Sequence, residues 1–171
     1  MINWRNSGAF LLVFTVFLVD IRPSDGQVSK LDREQLTANK QVVRNLFETV
    51  WNDTNFIGVE EMWGPDVLFH FRGSTNTLGP EGLQAMVESH HAAFPDFQFV
   101  VEDIIAEGDR VAARVRFSAS HTGEEWFGLP ATGRKIDVTE MMFFRFQNGR
   151  VVEAWEDYDG YVMRRQLGAL P

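Results

Sequence analysis

Residues 135–159 read KIDVTEMMFFRFQNGRVVEAWEDYD. Val138, Glu140, Met142 and Phe144 fall on one side of a period-two alternation, which is the pattern of a strand with one face buried. Asn148-Gly149 then supplies two residues that tolerate positive φ, so the chain turns back at once and residues 151–159 form the partner strand. Upstream the same grammar repeats. Phe97, Phe99 and Val101 alternate, Glu107-Gly108-Asp109 marks a turn, and Val111, Ala113, Val115 and Phe117 alternate again, giving a second hairpin-linked pair.

The segments before these strands change period. From 31 to 52, Leu36, Val43, Phe47 and Val50 follow helical spacing, and a short helical stretch over 56–63 stops at Gly64-Pro65. Residues 67–71 read as a brief strand ending at Arg72-Gly73-Ser74. Gly79-Pro80-Glu81 opens the next helix, with Pro in its first turn and an acid near the positive end of its dipole. That helix carries Leu83, Met86, Val87, His90 and Phe94 on one stripe and ends before Pro95. Residues 164–167 form a short closing helix. The order helix, helix, strand, helix, then four long antiparallel strands predicts an α+β domain in which helices cover one face of a curved antiparallel sheet. Such a sheet closed by helices at one end is a cone whose open mouth is a ligand pocket.

The 171 residues, 44% of them hydrophobic, suffice for one domain with one core. Fifteen Phe and five Trp provide enough aromatic area to line a cavity as well as fill that core. A formal net charge of −8 repels phosphate backbones and anionic lipid, which disfavours nucleic-acid and membrane-surface partners. With no Cys, disulfides, thiolate metal sites and Cys nucleophiles are excluded. His90 and His91 are adjacent rather than one turn apart and cannot present one face to a metal, and no other ligand-spaced cluster is present.

Residues 9–19 (AFLLVFTVFLV) form an unbroken apolar run behind Arg5, too short to cross the ~30 Å of a bilayer core. The run reads as the apolar segment of a signal peptide with small residues at Ser24 and Gly26, the alternatives being an uncleaved anchor or a misplaced start. The expected division is 1–26 as a signal peptide or hydrophobic extension and 27–171 as the domain. Secretion or export to the periplasm follows if the leader is cleaved, and a cytoplasmic or membrane-anchored protein otherwise.

Four segments carry a likeness to a known family: Gly79-Pro80-Glu81-Gly82-Leu83 running to Ala93-Phe94-Pro95-Asp96; Ile105-Ala106-Glu107-Gly108-Asp109-Arg110-Val111; His121-Thr122-Gly123 with Gly128-Leu129-Pro130-Ala131-Thr132-Gly133-Arg134; and Arg145-Phe146 through Glu153, Trp155 and Asp159 to Gln166-Leu167-Gly168-Ala169. In their order and spacing the chain resembles the SnoaL-like polyketide cyclase (ester cyclase) family of the nuclear transport factor 2-like superfamily, over nearly all of residues 31–171. The resemblance implies a cone-shaped α+β barrel, often dimeric. It implies a site that closes a ring in a hydrophobic polyketide ester by intramolecular aldol condensation, without metal or organic cofactor. It also places the family's acid/base, at the end of the last strand, on Asp159. Many relatives read Glu-His-Trp where this chain has Glu153-Ala154-Trp155.

Aldol closure requires a base for the proton α to a carbonyl and an acid for the oxyanion, and a desolvated carboxyl near neutrality serves both. Counting by twos puts Trp155 and Asp159 on one face, an indole beside an acid. The alternative is a solvated acidic strand end. His121 shares parity with Val115 and Phe117 and joins Asp159 as a catalytic candidate, while Glu140, with Met142 and Phe144, faces the same apolar side; a satisfied structural pair explains His121 and Glu140 equally well. His70, between Phe69 and Phe71, and His90 are ligand candidates or hydrogen-bonded core histidines. Trp126, Phe127, Met141 and Phe143 line the cavity or belong to plain core. Arg114 and Arg116 fall on a solvated or dimer-facing surface. Asn52-Asp53-Thr54 matches the N-glycosylation pattern.

Two functions fit. The first is an enzyme acting on a small hydrophobic carbonyl or ester compound by proton transfer. The second is an exported binding protein for such a ligand, which the leader and Ala154 favour. In either case the partner is a small hydrophobic molecule.

Overall fold

The computed structural model describes residues 30–170; the expected leader, residues 1–26, lies outside them. Helix α1 (Lys30–Asn45) runs without a break into a π-helical segment, Leu46–Asn52. The wider turn faces Leu46, Phe47, Val50 and Trp51 into the core. It also brings Asn52 against a strand, where its amide accepts from the Phe99 N–H and donates to the Phe99 carbonyl, both at 2.8 Å. The Asn of the glycosylation pattern is therefore half-buried with both ends of its amide committed.

Six strands form one curved, unclosed sheet in the order β2-β1-β6-β5-β4-β3. β3 (Gln98–Glu107), β4 (Arg110–Ser120), β5 (Lys135–Gln147) and β6 (Arg150–Tyr158) are the four long antiparallel strands expected. Three features depart from expectation. The first strand is longer, β1 (Trp63–Phe71), because α2 is the single turn Val59–Met62 and Trp63 is already extended, at φ −117 and ψ 124. β1 pairs parallel with β6, so the sheet is not wholly antiparallel. A sixth strand, β2 (Ser74–Leu78), turns back at the edge on Arg72 and Gly73, both at positive φ. Its sequence, STNTL, is polar and exposed up to Leu78, which is half-buried against the core, and carries no alternation.

The third helix, α3 (Pro80–Ala93), and α1 with its π-helical extension lie over the concave face, and α4 (Gly160–Gln166) packs beside β5. Between them is an aromatic core in which Phe47 meets Phe99 and Phe144 edge-on, at 5.2 and 6.2 Å between ring centroids. Burying each such ring stabilises the fold by about 1.5–3 kcal/mol, and edge-to-face contact adds ~0.5–1.5 kcal/mol per pair. On the convex face Arg114 pairs with Glu102 and Asp103, and Arg116 with Asp137. Met141 and Phe143 are also there, both 47% exposed, and not in the cavity.

The last strand contains the irregularity that sets the site. Phe146 pairs with Val151 but Arg145 pairs with Glu153, so Val152 is an extra residue, a β-bulge. Val151 and Ala154 are both fully buried although three residues apart. Beyond the bulge the alternation is inverted relative to a count started at Val151. Glu153, Trp155 and Asp157 lie on the outer face and Glu156 and Tyr158 on the inner one, which reverses the parity expected for Trp155.

Candidate functional site

The concave face and its helices enclose a cavity of about 510 Å³. Its walls are mostly apolar, with Phe69 and Phe71 from β1, Phe99 and Phe117 from the long hairpin, Trp51 from the π-helical segment and Met86 from α3, and Asn76, Ser89, Glu124 and Glu125 also line it. Trp126 and Phe127 stand at its edge. They begin a two-residue turn in which Trp126 and Leu129 exchange backbone hydrogen bonds and Phe127 and Gly128 both have positive φ, 46 and 79. Phe127, held in a conformation a bulky side chain rarely adopts, is 62% exposed.

Into this apolar space project Glu140 of β5 and Glu156 and Tyr158 of β6. Glu140 pairs with Tyr158 and Met142 with Glu156, so the two carboxyls are diagonal neighbours on one face. Burial pushes the Glu140 carboxyl well above the ordinary carboxylate range, and the charge of Glu156 pushes it further. Burial likewise raises Glu156 to about 7. The Tyr158 phenol is raised by burial and stays a neutral donor. Glu140 is 3% exposed, and its Oε2 is buried without a hydrogen-bond partner. A buried, unmatched carboxyl oxygen costs stability unless a bound molecule meets it.

On the helical side, His90 lines the same cavity. Burial depresses it to about 4, so its ring is neutral. Its Nδ1 lies 2.7 Å from the Met86 carbonyl.

Of the residues singled out from sequence, Glu140, His90, Trp126 and Phe127 come together in the cavity. Met142 and Phe144 face inward but are core, 4% and 2% exposed, beneath the cavity floor. His121 is fully buried outside the cavity lining. Its Nε2 donates to the Glu124 carbonyl at 3.0 Å, its Nδ1 faces Thr132 Oγ1 at 3.4 Å, and Phe94 packs on its ring. It is the satisfied structural histidine of the two alternatives, and it fastens the 121–134 loop.

His70 and Trp155 are on the outer face, stacked at 5.0 Å and 8°, with His70 Nε2 2.8 Å from Glu153 and Arg145 on the same carboxylate. They do not line the cavity, Trp155 because the bulge turned that half of β6 over and His70 because it alternates with the inward-facing Phe69 and Phe71 of β1. Asp159 is exposed and lies just past the strand end. Its Oδ1 accepts from the Tyr161 and Val162 amides at 3.1 and 3.0 Å, capping α4. A helix starting immediately after a strand leaves amides without acceptors, and Asp159 supplies one. It is not part of the cavity wall. Glu156 and Tyr158 were missed because parity counted from Val151 assigns them outward. The one sequence signal was Val151-Val152, two adjacent β-branched residues after the turn.

Among the described residues no three His, Asp or Glu side chains cluster so as to hold a metal ion, and no helix is long and apolar enough to cross a membrane.

The family model of SnoaL-like polyketide cyclases matches residues 41–167. No curated protein sequence matches. Among solved structures the chain is similar to IdmH of Streptomyces antibioticus, a proposed polyketide cyclase, with 30% identity, 76% of this chain and 98% of that one covered, and a TM-score of 0.66. It is similar to AclR of Streptomyces galilaeus, a proposed hydroxylase, at 29% identity over 80% and 99% of the two chains with a TM-score of 0.67. A proposed SnoaL-like polyketide cyclase from Jannaschia sp. CCS1 has 26% identity over 80% and 95%, with a TM-score of 0.70. With a family match over most of its length and the same sheet-and-helix architecture, the chain belongs to the SnoaL-like polyketide cyclase family.

Proposed function

We propose that the protein catalyses a proton-transfer reaction, ring closure by intramolecular aldol condensation, on a small hydrophobic carbonyl or ester compound held in the cavity. The observation that carries this reading is the Glu140–Glu156 pair inside aromatic walls. Two carboxyls with separated affinities for protons supply an acid and a base at one pH. Glu156, the more easily ionised, takes the proton α to one carbonyl. The resulting carbanion attacks the second carbonyl and a carbon–carbon bond forms. Glu140 gives its proton to the new alkoxide, with the Tyr158 phenol as a further donor, and the proton on Glu156 restores Glu140. Atoms and charge balance without a cofactor.

The first half-reaction tests the assignment without the natural substrate. In D2O the wild type should catalyse deuterium uptake at the α-carbons of 2-tetralone, followed by NMR. Glu156→Gln should lower the rate about 10²–10⁴-fold, the range general-base catalysis contributes, while Asp159→Asn should leave it within a few-fold. Loss on Asp159→Asn with an active Glu156→Gln would return the role to Asp159.

One observation favours a carrier instead: Asp159, the position matching the family's acid, caps a helix in this structure. A carrier would bind 2-tetralone and exchange no protons.

A further inference from the structure

We propose that His90 is a specificity-determining residue that selects substrates bearing a free hydroxyl on the part of the molecule lying against α3, the hydroxyl donating its hydrogen bond to His90 Nε2. This rests on the cavity being the substrate site, and it adds a requirement that the acid pair does not make. The Met86 carbonyl, 2.7 Å from Nδ1, can only accept, so Nδ1 carries the ring's proton. The hydrogen bond turns Nδ1 to the helix backbone and leaves Nε2 turned away from it, on a residue that lines the cavity. No hydrogen-bond donor among the described residues meets Nε2.

The ring is also held in place. Trp51, Phe97 and Trp126 meet it edge-on at 5.1, 5.8 and 4.3 Å, with interplanar angles of 89°, 82° and 67°. The three contacts fix the plane of the ring, and reversal within that plane would break the Met86 bond. Because burial keeps the imidazole neutral, Nε2 does not become a donor near pH 7. The helical side of the cavity therefore presents a fixed acceptor among aromatic faces. An alcohol, phenol or enol matches it. A methyl ether or carbonyl at the same place opposes lone pair to lone pair and strands both in a dry site.

The test uses 6-acetyl-2-naphthol and its methyl ether, 6-acetyl-2-methoxynaphthalene, at pH 7 with the full chain. The expected result is wild-type affinity about tenfold higher for the naphthol, the size of one well-made hydrogen bond, and no preference in His90→Phe. His90→Gln, which keeps an acceptor oxygen, should retain part of it. Should the Phe variant fail to fold, histidine 15N spectra of the wild type decide. The Nε2 resonance of His90 should lie in the unprotonated range and move on adding the naphthol but not the ether. Equal binding of both probes, or a protonated Nε2, overturns the inference and leaves the acid-pair reading standing. Binding of neither probe overturns the inference, and proton exchange in 2-tetralone then decides separately whether the acid-pair reading stands.

Discussion

At the scale of single residues, the pH dependence of catalysis follows from which carboxyl of the pair ionises first. Glu156, raised to about 7, is an effective base only above that pH, while Glu140, raised further by burial and by the charge of Glu156, still holds its proton. In the wild type kcat/KM for proton exchange should therefore climb as pH rises through about 7 and fall again once Glu140 ionises. Glu140→Gln keeps the base and abolishes the upper limb. A rate that falls monotonically between pH 5 and 8 would be incompatible with Glu156 as base. Glu140 is legible in the sequence because β5 is regular and Glu140 shares the buried side of its alternation with Val138 and Met142. Glu156 was invisible because the bulge at Val152 breaks the count. His121 shows the complementary limit, since parity identified it correctly as buried but hydrogen bonds within the 121–134 loop, which no periodicity encodes, decide its role.

At the scale of elements, that loop is positioned by a close approach at Gly123. The Gly123 and Glu124 amides donate to the Ala93 and Ala92 carbonyls at the end of α3, at 3.0 and 2.8 Å. A Cβ added at Gly123 would lie 1.9 Å from the Ala92 carbonyl oxygen. Gly123→Ala must push the loop off the helix and with it Trp126 and Phe127. We expect a loss of about 1–3 kcal/mol in urea unfolding, the usual cost of overpacking, and weaker binding of 6-acetyl-2-naphthol. An unchanged midpoint and affinity would mean that the loop is not seated there. The bulge makes a sharper demand. Deleting Val152 removes the residue without a partner on β5 and leaves a regular strand in which Val151 and Ala154 still face inward, Trp155 outward and Glu156 into the cavity. That variant should keep a cooperative unfolding transition, whereas inserting one residue after Val152 should abolish it by turning Trp155 inward and Glu156 out. The long hairpins were legible because their turns and alternation are local. The parallel contact of β1 with β6 joins residues about 85 positions apart, and the edge strand β2 has a single apolar residue, Leu78, so neither left a local pattern to read.

For the whole molecule, the acid pair links stability to pH in a direction opposite to the surface carboxylates. A Glu whose folded pKa lies above its unfolded 4.5 contributes stability that is fully present below 4.5 and is lost as pH rises through its folded value, about 7 for Glu156 and higher for Glu140. The depressed carboxyls act on the other limb. Asp137, held down by Arg116, and Glu153, held down by Arg145 and His70, contribute stability above their unfolded pKa values that is lost as pH falls through the folded ones. Tm should therefore peak near pH 5 and decline towards pH 8. The net charge of −8 adds self-repulsion over the same range, but the two causes separate with salt. Half-molar NaCl screens repulsion between exposed charges and leaves desolvation of a buried carboxyl nearly untouched. The decline should persist in salt and flatten in the Glu140→Gln, Glu156→Gln double variant. A decline abolished by salt and unchanged in that variant would mean that the two carboxyls are solvated, and the proposed chemistry would lose its dry site.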